Sequence, residues 1–254
     1  MRDSSKIRRI ATTGKFCCAF VLSCCPAYGQ VSTVTVHVEI KTKNDPKQTA
    51  GVRPPADSSE VVLWLKPLDR ISAESQSDKQ PPKRLQLIQK NKSFQPHVLV
   101  VPIGTVVDFP NRDPFFHNVF SLFDGKRFDL GLYEAGATNS VRFDRLGVSF
   151  LFCNIHPEMS AVVIAVDTPY YGVSNRAGNI TIPNLPNGEY ELHVWYERSL
   201  PEDLKILTST VAVSSATKDL GTISVPENPS FSPAHKNKYG QDYASPPSRP
   251  YSNP

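Results

Sequence analysis

Hydrophobic and polar residues alternate in short runs along this chain, a pattern that predicts β-strands. In residues 31–40, valine and isoleucine alternate with threonine, histidine and glutamate, so one face of the segment is apolar. Residues 61–65 form a second, more continuously apolar strand. The polar stretches 41–59 and 69–83 predict connections without regular structure. No segment shows sustained helical periodicity, so we expect an all-β protein.

The last third of the chain has the rhythm of a second β-domain. Turn sequences at 175–179 and 185–189 separate the apolar runs 180–182 and 190–196, and further short runs follow in residues 211–225. Short strands with turn signals at this spacing are typical of an antiparallel β-sandwich. We therefore expect two sandwiches.

The clearest chemical pattern is a cysteine, two histidines and a methionine. Cys153, His156 and Met159 lie close together, and His117 precedes them. Thiolate and thioether sulfur favour Cu(I), and imidazole binds both oxidation states. A His2Cys plane with a weak axial methionine is used for copper electron transfer. The sequence therefore predicts one mononuclear type 1 (blue) copper ion per chain.

The four donors come from two separate places in the sequence. The short loop 153–159 is expected to place three of them at the end of one strand. His117 must arrive from another strand, after the apolar run 106–111, and Phe115 and Phe116 are expected to give its ring apolar surroundings. Ligands held in a rigid, dry setting keep reorganisation small during electron transfer.

Residues 83–167 resemble a cupredoxin, and amicyanin in particular. The resemblance rests on the Cys-x2-His-x2-Met loop with Pro157 after its histidine, on residues 94–106 and on the turn 143–147. It implies a Greek-key cupredoxin β-sandwich. It also implies the ligands His117, Cys153, His156 and Met159, with Pro157 beside them and with Asn118 bracing the loop and hydrogen-bonding near the cysteine sulfur.

Residues 168–225 resemble a transthyretin-like module of the kind found beside carboxypeptidases. The matching pattern is Gly178-x-Ile180-x-Ile182-Pro183-x-Leu185-Pro186-x-Gly188-x-Tyr190. Such modules usually begin with a strand pair, which implies that strands within residues 30–82 complete this second antiparallel sandwich. The alternative is that these N-terminal strands pack on the edge of the copper domain.

The two ends of the chain have compositions unlike the rest. Residues 1–29 have a basic start, an apolar stretch and small residues at the end, which predicts a secretory signal peptide and a periplasmic or secreted protein. A lipoprotein anchor at Cys24 or Cys25 is the alternative. Residues 226–254 are rich in proline and polar residues, which predicts a disordered tail.

Charge and cysteine content narrow the possible functions. Without residues 1–29 the chain carries 23 basic and 23 acidic side chains, so nothing argues for nucleic-acid binding. No apolar run long enough for a transmembrane segment is left after cleavage. Cys153 is then the one remaining thiol and has no disulfide partner within the chain.

The sequence argues against an enzyme. A multicopper oxidase needs further histidines, usually in His-x-His pairs, and a binuclear copper site needs a second cysteine in the loop. Neither occurs here, and no zinc-hydrolase motif is present. We expect a one-electron carrier, and the amicyanin resemblance implies a dehydrogenase or cytochrome partner. The alternatives are periplasmic copper binding or delivery, and a copper module of a larger assembly.

The other histidines and the acidic residues near the predicted site are not expected to bind the metal. His97 is predicted to be structural or exposed, and His235 of the tail is given no chemistry. The loop carboxylates, including Asp113 and Asp129, are interpreted as solvated charges. Glu158 lies inside the ligand loop, so its charge is expected to favour Cu(II) unless solvent screens it.

Overall fold

The computed structural model describes residues 31–42, 57–69, 84–122, 124–232 and 234–243. The predicted signal peptide and most of the two polar connections lie outside these residues. The first strands are β1 (Val31–Thr42), β2 (Val62–Pro67), β3 (Leu85–Gln86), β4 (Ile88–Lys90), β5 (Ser93–Gln95), β6 (Val98–Pro102), β7 (Thr105–Pro110), β8 (His117–Ser121) and β9 (Phe128–Tyr133). The later elements are β10 (Thr138–Phe143), β11 (Gly147–Phe152), β12 (Ser160–Val166), β13 (Tyr171–Val173), β14 (Asn179–Pro186), β15 (Gly188–Trp195), α1 (Pro201–Ile206), β16 (Ser209–Val213) and β17 (Asp219–Glu227).

The predicted all-β class is confirmed, with α1 as a short helical turn between β15 and β16. Proline at the start of α1 and acidic residues in its first turn favour a helix there. Among the described residues, no helix has the length and apolar character needed to cross a bilayer.

The middle of the chain forms the first sandwich. One sheet has the strand order β6-β12-β11-β8-β9 and the other has the order β10-β7-β3, with β4 and β5 forming a separate hairpin. Both sheets contribute to one buried core, which includes Phe109 of β7, Phe143 of β10, Leu151 of β11 and Val163 of β12. Alternating strands bury one face in this core because successive side chains point to opposite sides of a sheet.

The second sandwich is built from both ends of the described chain. Its sheets have the orders β14-β1-β17 and β13-β2-β15-β16. In the first sheet, β1 pairs antiparallel with β14 and parallel with β17, and in the second β2 pairs antiparallel with β13 and β15. Both N-terminal strands therefore belong to this sandwich, and the first sandwich is inserted between β2 and β13.

The two sandwiches share an apolar wall. The strand β12 is buried on both faces: residues 161, 163 and 165 lie in the first core, and residues 162, 164 and 166 lie in a second cluster. That cluster also contains Val98 and Val100 of β6, and it reaches Val62 of β2 in the other sandwich. Burial on both faces explains why β12 is a continuous apolar run and not an alternating one.

The end of the described chain differs from the disordered tail expected over residues 226–254. The strand β17 extends to Glu227, and residues up to 243 lie against the first sandwich through side-chain hydrogen bonds. Proline lacks the backbone N–H that a regular strand ladder needs. Hydrogen bonds that involve side chains therefore hold this segment on the neighbouring surface. Residues 244–254 lie outside the described part of the chain.

Candidate metal centre

The centre lies where three strands of the first sandwich end. His117 opens β8, Cys153 follows β11, and Met159 precedes β12. β11 pairs with both of these strands, so the sheet itself brings the two sequence regions together. Within the loop, the Cys153 amide donates to the Met159 carbonyl at 3.2 Å and the Met159 amide donates to the His156 carbonyl at 3.1 Å. These bonds close residues 153–159 into a tight turn.

Three of the four expected donors converge on one point. The Sγ atom of Cys153 lies 3.8 Å from Nδ1 of His117 and 3.5 Å from Nδ1 of His156. Imidazole and thiolate bonds to a first-row metal, about 2.0 and 2.3 Å long and about 120° apart, separate their donor atoms by about 3.7 Å. The observed spacings therefore fit a single ion bound between these three side chains.

Met159 is the fourth expected donor. It is fully buried and belongs to the same core cluster as Cys153. The combination of two imidazoles, one thiolate and one thioether is consistent with one mononuclear type 1 copper ion, as the sequence predicted. Among the described residues, His117, Cys153 and His156 are the only group of three or more histidine, cysteine or acidic side chains close enough to share a metal ion.

The four expected donors differ in their access to solvent. His117, Cys153 and Met159 are fully buried, whereas His156 is half-buried. The ring of Phe115 lies 5.2 Å from the ring of His117 and 5.6 Å from that of His156, measured between centroids. Phe115 thus provides the apolar surroundings expected from the sequence. Phe116, expected to do the same, is 55% exposed.

The surroundings of the cysteine sulfur suit a metal-bound thiolate. Burial raises the pKa of the Cys153 thiol, while hydrogen bonds from the backbone amides of Asn118, Ile155 and His156 oppose that rise. In the absence of metal, burial therefore keeps the thiol protonated. The three amides nevertheless point toward the negative charge that metal binding creates, which stabilises the bound form.

The pKa of His156 also favours metal binding. Burial lowers the pKa of this imidazole, and electrostatic interactions with His117 and Lys92 lower it further. A lowered pKa keeps the ring neutral near pH 7, and a metal ligand must be neutral to offer its lone pair.

A buried carboxylate orients His117. Its Nε2 atom lies 2.8 Å from Oδ2 of Asp113, which leaves Nδ1 free to face the cysteine. Asp113 also accepts hydrogen bonds from the amides of Asn91, at 2.7 Å, and Lys92, at 2.9 Å. Burial alone would raise the pKa of Asp113, but these bonds outweigh it and lower that pKa. A carboxylate on the far nitrogen fixes a ligand ring and makes it a better donor.

Asp113 is a residue that sequence reasoning misassigned, because the structure buries it instead of leaving it in solvent. The carboxylate lies between His117 and the turn that joins β4 to β5. Asn91 and Lys92 occupy this turn with φ values of 54° and 52°, and their backbone amides both face the carboxylate of Asp113. The available signal was an acidic residue four positions before the predicted ligand.

The two supporting residues expected from the resemblance have different positions. Asn118 donates its backbone amide toward the Cys153 sulfur, as expected, but its side chain donates to Asp129 at 2.7 Å and to the Gly131 carbonyl at 2.9 Å. The side chain therefore braces β9 and not the ligand loop. Pro157 lies exposed in the turn between His156 and Met159.

Two further expectations concern His97 and Glu158. Glu158 is exposed, yet its negative charge still raises the pKa of the Cys153 thiol and of the His156 imidazole, so its expected preference for Cu(II) stays a prediction. His97 is structural: its Nδ1 atom lies 3.1 Å from the Ser160 carbonyl, and its Nε2 atom lies 2.7 Å from Glu197 of the second sandwich. His97 thus links the two sandwiches beside β12.

Comparison with solved structures found copper proteins that match part of the chain. A copper-containing nitrite reductase from Thermus scotoductus SA-01 is 24% identical over 35% of this chain and 24% of its own, with a TM-score of 0.33. A purple cupredoxin from Nitrosopumilus maritimus is 26% identical over 32% of this chain and 99% of its own, with a TM-score of 0.30.

A methionine-to-alanine mutant of amicyanin in its Cu(I) form is 16% identical over 41% of this chain and 98% of its own, with a TM-score of 0.32. No protein-family model and no curated protein matches the chain.

Proposed function

We propose that this protein is an exported type 1 copper protein that carries single electrons between redox partners, and that its first sandwich is a cupredoxin domain. The observation that supports this most strongly is the pair of imidazole Nδ1 atoms 3.5 and 3.8 Å from one buried cysteine sulfur. When bound, copper would supply the change between Cu(I) and Cu(II). The protein supplies the fixed and largely dry surroundings.

The residues around the centre suit an electron carrier because they resist rearrangement. His117 is held on one side by Asp113, and the Cys153 sulfur receives backbone amide hydrogen bonds. Three ligands are excluded from water, so little solvent has to reorient when the charge of the centre changes. A site with these restraints favours repeated electron exchange over release of its metal.

The half-buried His156 is the proposed point of electron entry and exit. Its neighbour Ile155 is 43% exposed, and Phe116 is 55% exposed. Ile155 adjoins His156 in the chain and Phe116 adjoins His117, so each offers apolar surface beside a proposed ligand. A redox partner such as a dehydrogenase or a cytochrome would dock there, bringing its own centre within reach of the ring.

We assign the remaining parts of the protein as follows. The second sandwich is proposed to be a transthyretin-like module that supports the copper domain and does not add an enzymatic activity. A periplasmic or secreted location is proposed from the predicted signal peptide and from Cys153, the one cysteine outside that peptide, which metal binding would protect from oxidation.

Copper reconstitution followed by visible absorption spectroscopy and voltammetry tests the proposed function. A carrier shows an intense visible band from thiolate-to-Cu(II) charge transfer and fast, reversible cycling. A colourless site that holds only Cu(I) and gives it up readily to a chelator would instead indicate copper delivery. Failure to bind copper at all would contradict both functions.

A further inference from the structure

The C-terminal residues 228–243, here called the strap, contact the ligand loop of the first sandwich. The strap starts at the second sandwich, where the Asn228 amide donates to the Arg198 carbonyl at 2.7 Å and the Arg198 guanidinium lies over the ring of Phe231. It then crosses to the end of the first sandwich that holds the metal ligands. These residues lie outside the span 83–167 whose sequence resembles a cupredoxin.

One contact of the strap is with Cys153, a proposed metal ligand. Tyr243 donates its hydroxyl hydrogen to the carbonyl oxygen of Cys153 at 2.7 Å. The Tyr243 oxygen lies 3.3 Å from Nδ1 of His235, and the His235 ring stacks on Phe152 with a centroid distance of 4.1 Å. A ring stack therefore holds the strap on Phe152, and a hydrogen bond holds it on Cys153, at the end of β11.

A second set of contacts connects the strap to the Cys153 sulfur through residues of β9 and β8. The Lys238 amide donates to Oδ1 of Asn154 at 3.0 Å, and Lys238 Nζ lies 2.8 Å from Oδ2 of Asp129. The other oxygen of Asp129 accepts a 2.7 Å bond from Asn118, whose backbone amide points toward the Cys153 sulfur. Lys238 is thus connected to the sulfur through Asp129 and Asn118.

We propose that the strap positions the copper ligand loop and adjusts its redox behaviour, with Tyr243 as the main positioning residue. This inference rests on the proposed function. The hydroxyl holds the Cys153 carbonyl, and therefore the peptide that follows the thiolate, in one orientation. Its positive hydrogen also lies on the ligand residue, which favours the reduced state because that state carries less positive charge.

The arrangement makes the second sandwich part of the copper centre. Since the strap leaves β17 of that sandwich and ends on Cys153, a shift between the sandwiches would pull on the ligand loop. The long separation of these residues in sequence makes the contact costly to form unless both sandwiches are already in place. The position of the strap on the ligand loop therefore depends on the correct packing of the two sandwiches.

The test compares Tyr243→Phe and Lys238→Met in the full chain with two controls. Tyr171→Phe removes a hydroxyl for which the described residues show no hydrogen bond, and Lys236→Met removes a strap lysine whose ion pair with Asp242 is largely exposed. The measurements are the reduction potential, the rate of copper loss to a chelator, and hydrogen exchange of residues 153–159 in the copper-free protein.

We expect Tyr243→Phe to lower the reduction potential and to release copper about fivefold faster, the change that corresponds to losing one hydrogen bond. Loop amides should exchange faster in copper-free Tyr243→Phe and Lys238→Met proteins, with both controls unchanged. Wild-type potential, release rate and loop exchange in Tyr243→Phe would overturn the inference, even if its thermal midpoint fell. Loss of the proposed function is seen separately, as a wild-type protein without the visible band.

Discussion

Replacing Asp113 with asparagine tests how the protein holds its first histidine ligand. The carboxylate accepts bonds from the His117 ring and from the amides of Asn91 and Lys92, and it is 5% exposed. Asparagine is nearly the same size but presents an NH2 group where one of these donors needs an acceptor. A buried donor without a partner costs about 1–3 kcal/mol, and the bonds that remain lose their charge assistance.

We therefore expect Asp113→Asn to lower the free energy of unfolding by about 2–4 kcal/mol. For a protein of this size such a loss corresponds to a fall in thermal midpoint on the order of 10 °C. The reduction potential of the copper-loaded variant should rise, because the negative charge that stabilises Cu(II) through His117 is gone.

The pH dependence gives a second measure of the same contact. Because the folded pKa of Asp113 lies below its unfolded value, its contribution to stability is fully present above about pH 4 and is lost as pH falls through the folded pKa. The difference in midpoint between wild type and Asp113→Asn should therefore be large at pH 7 and shrink in acid.

Thermal unfolding followed by circular dichroism, at pH 7 and pH 3, provides the assay. Asp144→Asn is the matched control, since that carboxylate pairs with Lys126 at 2.8 Å but is exposed, and its removal should leave the midpoint unchanged. Equal midpoints for wild type and Asp113→Asn at pH 7, with an unchanged potential, would refute the role assigned to Asp113.

The remaining predictions concern the sulfur ligands and the link between the sandwiches. Cys153→Ser should abolish the visible band of the copper-loaded protein, and a band that survives would rule out this ligand. Met159→Leu should retain copper but raise the potential, because an axial donor that stabilises Cu(II) is lost; voltammetry showing no shift would argue against Met159 as a ligand. The hydrogen bond to Glu197 raises the pKa of His97 against the opposing effect of burial, so its stabilisation is full below about pH 6.5 and is lost as pH rises through the folded pKa. His97→Gln should thus lower the thermal midpoint more at pH 5.5 than at pH 9, and an equal loss at both would contradict the link.

The convergence of His117, Cys153 and His156 could be predicted from the sequence because the chemistry and short spacing of the candidate ligands are local. Three donors within residues 153–159 leave few alternative uses, and an antiparallel pair of strands brings His117 beside them. The strands of both sandwiches could likewise be predicted from alternation, since burial of one face leaves a period of two in the sequence.

The residues that support the ligands could not be predicted in the same way. Asp113 has the sequence surroundings of a surface loop, and its burial depends on the hairpin turn at Asn91, which is distant in the chain. Tyr243 lies in a segment whose composition indicates disorder, and its contact with Cys153 depends on the whole fold between them. The parallel pairing of β1 with β17 also joins opposite ends of the chain, and alternation carries no information about partner or register.

The two-sided burial of β12 has a practical consequence for anyone who excises residues 83–167 as a stand-alone blue copper domain. Cutting there would leave the aliphatic strip of Val98, Val100, Val162, Ile164 and Val166 facing water. Exposed strips of this kind drive self-association. Polar substitutions along the strip would be required before such a fragment could be purified as a monomer.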